Sequence, residues 1–382
     1  MKTLGYALRP EPRVVKEAVA DRRRLHRRPE LSGAESETTA FIRERLQRLG
    51  LQQLPCPTPT GAIALLETGR PGRRVLLRAD IDALPIQEDS GVSYESEVPG
   101  RMHACGHDAH TAILLGAAAV LSGAGELSGS YAFCFQPAEE LLSGGRAMVD
   151  GGLLEMTRPD RVIGLHVTSF LPSGEVFVRP GVQHAWAAAF RIVVRGSGGH
   201  NAAGGSELTR VVGELCLRVP GIAGGLEHEG CRALAAVGSV ITDGAWNVSP
   251  TEATLSGTHR AFTAEHHAIL GERLRALADV FSAELQIDAT TPAVVNDRST
   301  VAELEAVCAQ LGVACARLER PLVFADDVSE MLSRVPGCYF MLGARPPDQP
   351  EGEPHHSPRF RIAETPIETG ISLLSTLAAT IA

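Results

Sequence analysis

The sequence predicts a two-domain α/β protein in which an α/β domain is interrupted by a smaller α+β domain. The chain has 382 residues, more than the roughly 150 of a typical single domain. Apolar, strand-like runs alternate with helical segments up to residue 180 and again from residue 291, which is typical of a sheet covered on both faces. Between them, the predicted order β-α-β-β-α-β is that of a ferredoxin-like unit. We therefore expect a discontinuous domain, 1–180 with 291–382, and an inserted domain, 181–290.

The first eighty residues are predicted to form helices and then a hairpin. Residues 12–50 carry a helical apolar stripe, and the segment 29–33, which contains Pro and Gly, should split this helix in two. Short β-rich runs follow at 62–66 and 74–78, on either side of the turn 69–72. Two such runs around a Gly- and Pro-containing turn predict a β-hairpin.

The later elements follow the same logic. Residues 111–121 are small and apolar, which favours a buried helix between core strands at 129–135 and 161–165. In the inserted domain we expect strands and helices at 187–195, 206–219, 233–242, 253–260, 264–284 and 285–290. After it, a helix is predicted at 299–311 and a strand near 338–342.

Composition excludes several classes of protein. Lys and Arg number 36 against 45 Asp and Glu, giving a net charge of -9, and only 4% of residues are aromatic. This balance argues against nucleic-acid binding. No apolar run approaches the roughly 18 residues of a membrane-spanning helix, and no secretory signal is visible. We therefore expect a cytoplasmic protein without a membrane partner, whose eight cysteines stay reduced.

The densest group of potential metal ligands is the octapeptide 103–110, which contains three His, one Cys and one Asp. Cys105 and His107 can both face one soft divalent ion, since they are two residues apart with a Gly between them. Asp108 and His110 could be further ligands or could orient a ligand. The alternative is a polar loop whose histidines only form hydrogen bonds.

More candidate residues stand where predicted strands end. Asp80 and Asp82 follow one strand, Glu139 and Glu140 follow another, and His166 ends a third. In open α/β sheets, sites form at the carboxyl ends of the strands. An Asp could ligate a metal or orient a His, and one Glu could bind a metal while the other takes a proton from water. The alternatives are an Asx turn, a solvated acidic pair and a core His.

Three further segments offer polar side chains. His355 and His356 lie in a Pro-bounded loop, and His200 lies on a Gly-rich turn of the inserted domain. Asn247 and Arg260 offer an amide and a guanidinium group, which suit a substrate that carries a carboxylate. Surface placement without function is the alternative for each of them.

These motifs occur in the order of a known family. They resemble the amidohydrolase branch of the aminoacylase and carboxypeptidase metallopeptidases, which includes hippurate hydrolases, N-acetyl-amino-acid deacetylases and auxin-conjugate hydrolases. The resemblance spans nearly the whole chain and is carried by the motifs His26-x-x-Pro-Glu-Leu-Ser32, Arg78-Ala-Asp-Ile-Asp-Ala-Leu-Pro-Ile86, Met102-His-Ala-Cys-Gly-His-Asp-x-His110, Phe135-Gln-Pro-Ala-Glu-Glu140, Gly199-His200, Gly257-Thr-x-Arg260 and His356-Ser-Pro-x-Phe360.

The resemblance implies a site for two divalent metal ions in the α/β domain. The ligands it implies are Cys105, whose thiolate would bridge the ions, together with His107, Glu140, His166 and His356. Zinc is the expected metal, although ligands of mixed softness also admit manganese, cobalt or nickel.

The resemblance also implies an activity. Glu139 would be the general base, and His200 would reach the substrate from an inserted domain that acts as a lid and as the surface of a homodimer. We expect a metal-dependent hydrolase of an N-acyl amino acid or a related small N-acyl compound. A dipeptidase or carboxypeptidase-like hydrolase and a non-catalytic descendant that binds a metal or small ligand remain the alternatives.

Three segments depart from the family pattern. After Gly199-His200 the family usually continues with a Pro-His pair and later an Asp-Pro, where this chain reads Asn201-Ala-Ala-Gly-Gly-Ser-Glu207. The family's Asn-x-Ile-Pro-Asp reads Asn247-Val-Ser-Pro-Thr251, and its Glu-Asp-Phe-Ser reads Asp326-Asp-Val-Ser329. The substrate-facing segments are thus altered, whereas the metal ligands are kept, which predicts a specialised substrate.

Overall fold

A computed structural model describes residues 7–203 and 206–382. Its α-helices are α1 (Pro12–Arg27), α2 (Ser36–Arg48), α3 (His107–Gly123), α4 (Gly144–Asp150), α5 (Leu153–Thr157), α6 (Glu207–Arg218), α7 (Ala264–Val280), α8 (Arg298–Leu311), α9 (Ser329–Leu332) and α10 (Pro366–Ile381). Its strands are β1 (Gln52–Leu54), β2 (Ala62–Glu67), β3 (Arg74–Asp80), β4 (Ser130–Gln136), β5 (Arg161–Thr168), β6 (Val176–Val178), β7 (Gly181–His184), β8 (Trp186–Arg195), β9 (Gly199–His200), β10 (Glu227–His228), β11 (Cys231–Arg232), β12 (Leu234–Thr242), β13 (Val248–Ser249), β14 (Glu252–Ala261), β15 (Glu284–Thr291), β16 (Val294–Asn296), β17 (Cys315–Arg317) and β18 (Gly337–Gly343).

The chain divides into two compact units. The first comprises the residues up to Gly181 together with Val295–Glu319 and Asp327–Ala382. The second comprises Val182–Val294 and the short segment Arg320–Asp326. The sequence-based division placed 320–326 in the α/β domain. Hydrogen bonds explain the difference, because the backbone N–H of Leu322 donates to Gln183 at 2.7 Å and the carbonyl of Leu322 accepts from Ala185 at 3.2 Å.

A mixed sheet forms the centre of the first unit. Its strand order is β1-β2-β4-β3-β5-β18-β6-β17, and β3 runs parallel to both β4 and β5. The α/β class predicted from the sequence is confirmed. On one face, the almost wholly buried helix α3 packs against β3, α1 and α10. On the other face, α4 packs against β4, where the Sγ of Cys134 lies 3.7 Å from the Sδ of Met148.

The predicted hairpin of strands 62–66 and 74–78 is wrong, because β4 lies between β2 and β3. Phe135 of β4 pairs with Ala62 of β2 on one side and with Ala79 of β3 on the other. Every residue of β4 is buried, whereas β2 becomes exposed toward its end. The fully buried strand β4 therefore holds the inner position, and the turn at 69–72 only reverses the chain.

The second unit contains a four-stranded antiparallel sheet of order β12-β14-β8-β15. Helices α6 and α7 pack against it through an apolar core that includes Ile192, Leu215, Leu255 and Leu274. Along the chain the elements run β8-α6-β12-β14-α7-β15, which is the split β-α-β order of ferredoxin-like units. Thr263 begins α7 by accepting the backbone N–H of His266 at 3.1 Å.

Candidate metal centre

Ligands from separate segments meet at one edge of the first unit's sheet. Because β3, β4 and β5 are parallel, their carboxyl ends lie together. Asp82 and Glu140 lie in the segments that follow β3 and β4, and His166 lies near the end of β5 itself. Cys105 comes from the loop before α3, and His356 comes from the loop before α10. This edge is therefore where the sequence-predicted residues converge.

Cys105 lies at the centre of this cluster. Its Sγ is 3.5 Å from Nε2 of His166 and 3.5 Å from Nδ1 of His355. Potential ligand atoms of Cys105, Glu140 and His356 all lie within 4.8 Å of one another. The same holds for the group His107, Glu139 and Glu140. These overlapping groups bring together every ligand that the motifs implied.

Gly106 lets the loop before α3 approach β5 closely. It has a left-handed backbone with φ of 92°, and a Cβ at this position would lie 2.5 Å from Cγ2 of Val167. Only Gly fits this combination of conformation and space. Gly106 thus places Cys105 and His107 beside His166 at the end of β5.

Two ligand atoms are buried without a partner. Among residues 7–203 and 206–382, no group forms a hydrogen bond with Nε2 of His107 or with Oε1 of Glu140. These two atoms lie 3.8 Å apart. A buried polar atom left unpaired costs roughly 1–3 kcal/mol. A divalent cation between these atoms would satisfy both, so the residues fit a bound metal ion.

Hydrogen bonds orient the imidazole rings of His107 and His166. Nδ1 of His107 donates to the carbonyl oxygen of Asp82 at 3.0 Å, and Nδ1 of His166 donates to that of Val167 at 2.6 Å. Each neutral ring therefore presents an unprotonated Nε2. A backbone or carboxylate acceptor on the other ring nitrogen is the usual support of a metal-binding His.

Negative charge around the ligands favours a cation. Burial opposes protonation of His107, but the Asp80 carboxylate and the contacts with Asp82 and Cys105 together outweigh it and raise the pKa of His107 well above its ordinary value. Hydrogen bonds to Cys105 and Glu140 raise the pKa of His356 to about 10. A site that stabilises positive charge in this way also suits a divalent ion.

His356 is held in a strained loop. Its backbone is left-handed with φ of 65°, a conformation that non-Gly residues rarely adopt. Its N–H donates to the carbonyl of Ala104 at 2.9 Å, and its Nε2 lies 3.3 Å from Oε2 of Glu140. The loop is thereby tied to the segment that carries Cys105.

Asp82 contacts two candidate ligands, His107 and Glu140. Its carbonyl accepts from His107, and its Oδ2 accepts the backbone N–H of Glu140 at 3.0 Å and the hydroxyl of Ser32 at 2.6 Å. These contacts agree with the orienting role that the sequence predicted for Asp82.

The other two polar residues of the octapeptide have different contacts. His110 donates from Nδ1 to Asp80 at 2.6 Å and accepts the N–H of Val167 at Nε2, so neither nitrogen can ligate a metal. Asp108 contacts Arg22 at 3.1 Å and His26 at 2.9 Å. These two bonds join the start of α3 to α1. Neither of them involves a candidate metal ligand.

His355 is a neighbour that sequence reasoning left without a role. Its Nδ1 faces Cys105, and its Nε2 lies 3.2 Å from Oγ1 of Thr168. The adjacent pair His355-His356 was visible in the sequence, but only the second of them matched the family motif. Local sequence could not show that both rings turn toward Cys105.

The candidate substrate residues lie in the second unit. The exposed His200 pairs with Val248 across the short ladder of β9 and β13, which places Asn247 next to it. Arg260 lies near the end of β14, opposite Leu234. The structure thus brings His200 and Asn247 together but places Arg260 on a different ladder. The altered residues 204–205 lie outside the described residues.

Among the helices that the structure describes, none is both long enough and apolar enough to cross a membrane.

Comparisons with known proteins agree with the fold. The model of Peptidase family M20/M25/M40 matches residues 76–380. Thermostable carboxypeptidase 2 of Saccharolobus solfataricus is 32% identical over 362 residues, covering 91% of this chain and 91% of that protein. N-acetylcysteine deacetylase of Bacillus subtilis is 31% identical over 367 residues, covering 94% of each.

A solved structure matches over the whole chain. The crystal structure of the Bacillus subtilis YXEP protein, described as a dinuclear metal-binding peptidase from the M20 family, superimposes with a TM-score of 0.80. It is 29% identical in sequence, and the match covers 97% of this chain and 98% of that one.

A mixed α/β sheet with thiol, imidazole and carboxylate groups gathered at its strand ends is the arrangement of a hydrolase of the metallopeptidase type. The chain belongs to Peptidase family M20/M25/M40, and the resemblance drawn from its motifs is confirmed.

Proposed function

We propose that the protein is a two-metal amidohydrolase that cleaves the amide bond of an N-acyl amino acid or a related small N-acyl compound. The observation that carries this proposal is the buried, unpartnered pair His107 Nε2 and Glu140 Oε1, which lies among further thiol, imidazole and carboxylate ligands. Such a donor set is poorly explained by folding alone, because each unpaired atom destabilises the native state.

Two ions would share these ligands, with the thiol of Cys105 within reach of both. His107, Glu140, His166 and His356 would complete their coordination. When bound, the ions lower the pKa of water and polarise the amide carbonyl. Thiolate and imidazole ligands favour zinc, and the carboxylate also admits manganese, cobalt or nickel.

Glu139 is the general base in this proposal. It is buried, and its Oε2 lies 3.9 Å from Nε2 of His107. Glu139 would accept a proton from the attacking water as the C–O bond forms. It would return that proton to the amide nitrogen as the C–N bond breaks, so that a carboxylic acid and an amine leave.

The second unit would act as a lid and as the surface of a homodimer. His200 would donate a hydrogen bond to the carbonyl oxygen of the substrate, and Asn247 and Arg260 would bind its carboxylate. The edge strand β12 supports dimerisation, since Val240 and Ile241 expose apolar side chains on it.

The name of the deacetylase relative supports an N-acyl amino acid as the substrate. The name of the carboxypeptidase relative supports peptide cleavage as the second candidate. We favour the first candidate with a narrow specificity, because the departures from the family pattern fall on the lid. We also propose that the enzyme works in the cytoplasm, which agrees with eight cysteines that form no disulfide.

The test is amine release from a panel of N-acyl amino acids and dipeptides. The protein is first treated with a chelator, and zinc, manganese, cobalt or nickel is then added back. We expect metal-dependent release from N-acyl amino acids at a protein-bound ratio of two ions per chain. Release from dipeptides alone would favour the carboxypeptidase-like candidate, and failure to bind any metal would overturn the proposal.

Glu139→Gln tests the base within the same assay. We expect kcat to fall by about 10²–10⁴-fold while the metal content stays normal. Glu155→Gln is the matched control, since Glu155 is exposed on α5. Substantial activity in Glu139→Gln would remove Glu139 from this role.

A further inference from the structure

One asparagine links the segment after His200 to the loop before β14. The backbone N–H of Asn201 donates to the carbonyl of Asn247 at 3.2 Å. Its side-chain Nδ2 donates to the carbonyl of Trp246 at 3.1 Å. Its Oδ1 accepts the hydroxyl of Ser249 at 2.6 Å. Asn201 therefore bonds to backbone or side-chain groups of three residues in the segment 246–249.

Asn201 and its hydrogen-bond partner Ser249 both stand where this chain departs from its family. Asn201 begins the altered segment after Gly199-His200, and Ser249 stands where the family's Asn-x-Ile-Pro-Asp has Ile. The two positions are 48 residues apart, yet their side chains contact each other directly. Their hydrogen bond gives these two departures a common physical reason.

The backbone ladder at this place is short. Strands β9 and β13 contain two residues each, and they pair His200 with Val248 and Gly199 with Ser249. An isolated two-stranded ladder of this length is marginal in water. The side-chain bonds of Asn201 therefore contribute a large share of the interactions that hold these strands together.

The same turn selects the tautomer of His200. The backbone N–H of Ala202 donates to Nδ1 of His200 at 3.1 Å. Because Nδ1 accepts, the neutral ring carries its proton on Nε2. The exposed His200 thus presents an Nε2–H group that can donate to an oxygen of a ligand. Asn201 stands between His200 and Ala202, so fixing Asn201 also fixes this bond.

We propose that Asn201, together with Ser249, is a positioning residue that keeps the Nε2–H of His200 and the amide of Asn247 in one arrangement toward the substrate. This inference rests on the proposed function, in which both groups contact an N-acyl amino acid. Asn201 itself touches no reacting atom and acts through its two neighbours.

A kinetic comparison tests this role with the best substrate of the N-acyl amino-acid panel. We expect Asn201→Ala and Ser249→Ala each to lower kcat about tenfold, with a smaller change in KM and normal metal content. The double variant should be no worse than the Asn201→Ala variant, since both remove the same bond. Ser249→Thr keeps the hydroxyl and should restore most of the activity.

A background that lacks both His200 and Asn247 separates positioning from general damage. If Asn201 acts through these two neighbours, Asn201→Ala should change kcat less than twofold in the variant that carries His200→Ala and Asn247→Ala. An equal tenfold loss in that background would overturn the inference. Gln286→Ala is the control, because Gln286 is exposed on β15 of the same unit.

Tryptophan fluorescence supplies a measurement that does not need activity. The chain has two Trp residues, and Trp246 is 91% exposed on the linked loop. In the Trp186→Phe background, Asn201→Ala should lower the steady-state anisotropy of Trp246, whereas Gln286→Ala should not. Unchanged anisotropy in the Asn201→Ala variant would overturn the link.

Different results would overturn the positioning role of Asn201 and the proposed function. An active wild-type enzyme with unchanged kcat in the Asn201→Ala variant overturns only the positioning role. A wild-type enzyme that cleaves no N-acyl amino acid overturns the proposed function and, with it, the catalytic use of Asn201.

Discussion

The Oδ2 atom of Asp82 lies 3.0 Å from the backbone nitrogen of Glu140, while the carbonyl of Asp82 accepts the imidazole N–H of His107. One residue thus orients two candidate ligands that come from separate motifs. Burial would raise the pKa of Asp82, but the bonds from His107 and Ser32 outweigh it and lower that pKa. Asp82 therefore stays ionised beside the cluster.

Asp82→Asn should weaken metal binding while leaving the fold intact. The amide keeps the shape of the carboxylate but removes its charge, and its NH₂ group cannot accept from Glu140. We expect the affinity for zinc to fall about 10–100-fold, as is usual when a group that orients a ligand is changed. Competition with a chromophoric chelator measures this. Asp89→Asn, at an exposed position, should bind zinc like the wild type.

Cys105→Ala should reduce the amount of bound metal more than any change at another cysteine. The thiol lies within reach of both halves of the cluster, so its removal should weaken both sites. Elemental analysis of reconstituted protein gives the metal-to-protein ratio. Cys216→Ala is the matched control in the second unit, and a normal ratio in the Cys105→Ala variant would exclude the thiol as a ligand.

Gly106→Ala should damage both stability and metal binding. The new methyl group would lie 2.5 Å from Cγ2 of Val167 in a left-handed backbone. We expect a loss of about 1–3 kcal/mol of unfolding free energy and displacement of the adjacent ligands. Urea denaturation and metal analysis check these effects. Gly123→Ala, at the other end of α3 where the space is open, should not destabilise the protein.

The second unit should lose stability in mild acid through a buried His. Burial and the neighbouring His267, whose Nδ1 lies 3.2 Å from Nε2 of His259, lower the pKa of His259 to about 4. Between pH 6.5 and 4 the unfolded chain binds a proton that the folded chain excludes. The contribution is therefore present above pH 6.5 and is lost as the pH falls, by at most about 3 kcal/mol.

Urea denaturation at pH 7, 5.5 and 4.5 with chelator present measures this dependence. His259→Gln should flatten the decline of unfolding free energy with falling pH, whatever its effect at neutral pH. His228→Gln alters a partly exposed His of the same unit and should keep the wild-type slope. An unchanged slope in the His259→Gln variant would contradict the prediction.

Sequence periodicity predicted most helices and strands because each is set by local patterning. The bounds of α8 and β18 differ by a residue or so from the expected 299–311 and 338–342. The position of β4 was missed because strand neighbours depend on burial across the whole sheet. The turn at 69–72 carries no information about a strand some fifty residues later.

The candidate site could likewise be predicted only in part from the sequence. Residue types and strand ends indicated Cys105, His107, Glu140 and His166, since parallel strands must end at one edge. The contacts of His110 and His355 could not be predicted, because the direction of a ring depends on neighbours that are remote in sequence. The departures at Asn201 and Ser249 were visible, but their contact was not.

The position of β18 has a consequence for how the protein is made. This strand lies between β5 and β6, yet it is synthesised only after the whole inserted segment 182–294, and His356 follows it. While the nascent polypeptide is still on the ribosome, β5 therefore exposes an unpaired edge that can aggregate. Because His356 follows β18, one of the five candidate ligands is also absent until this part of the chain has been synthesised, so the metal centre cannot be completed before the inserted segment 182–294 has been made.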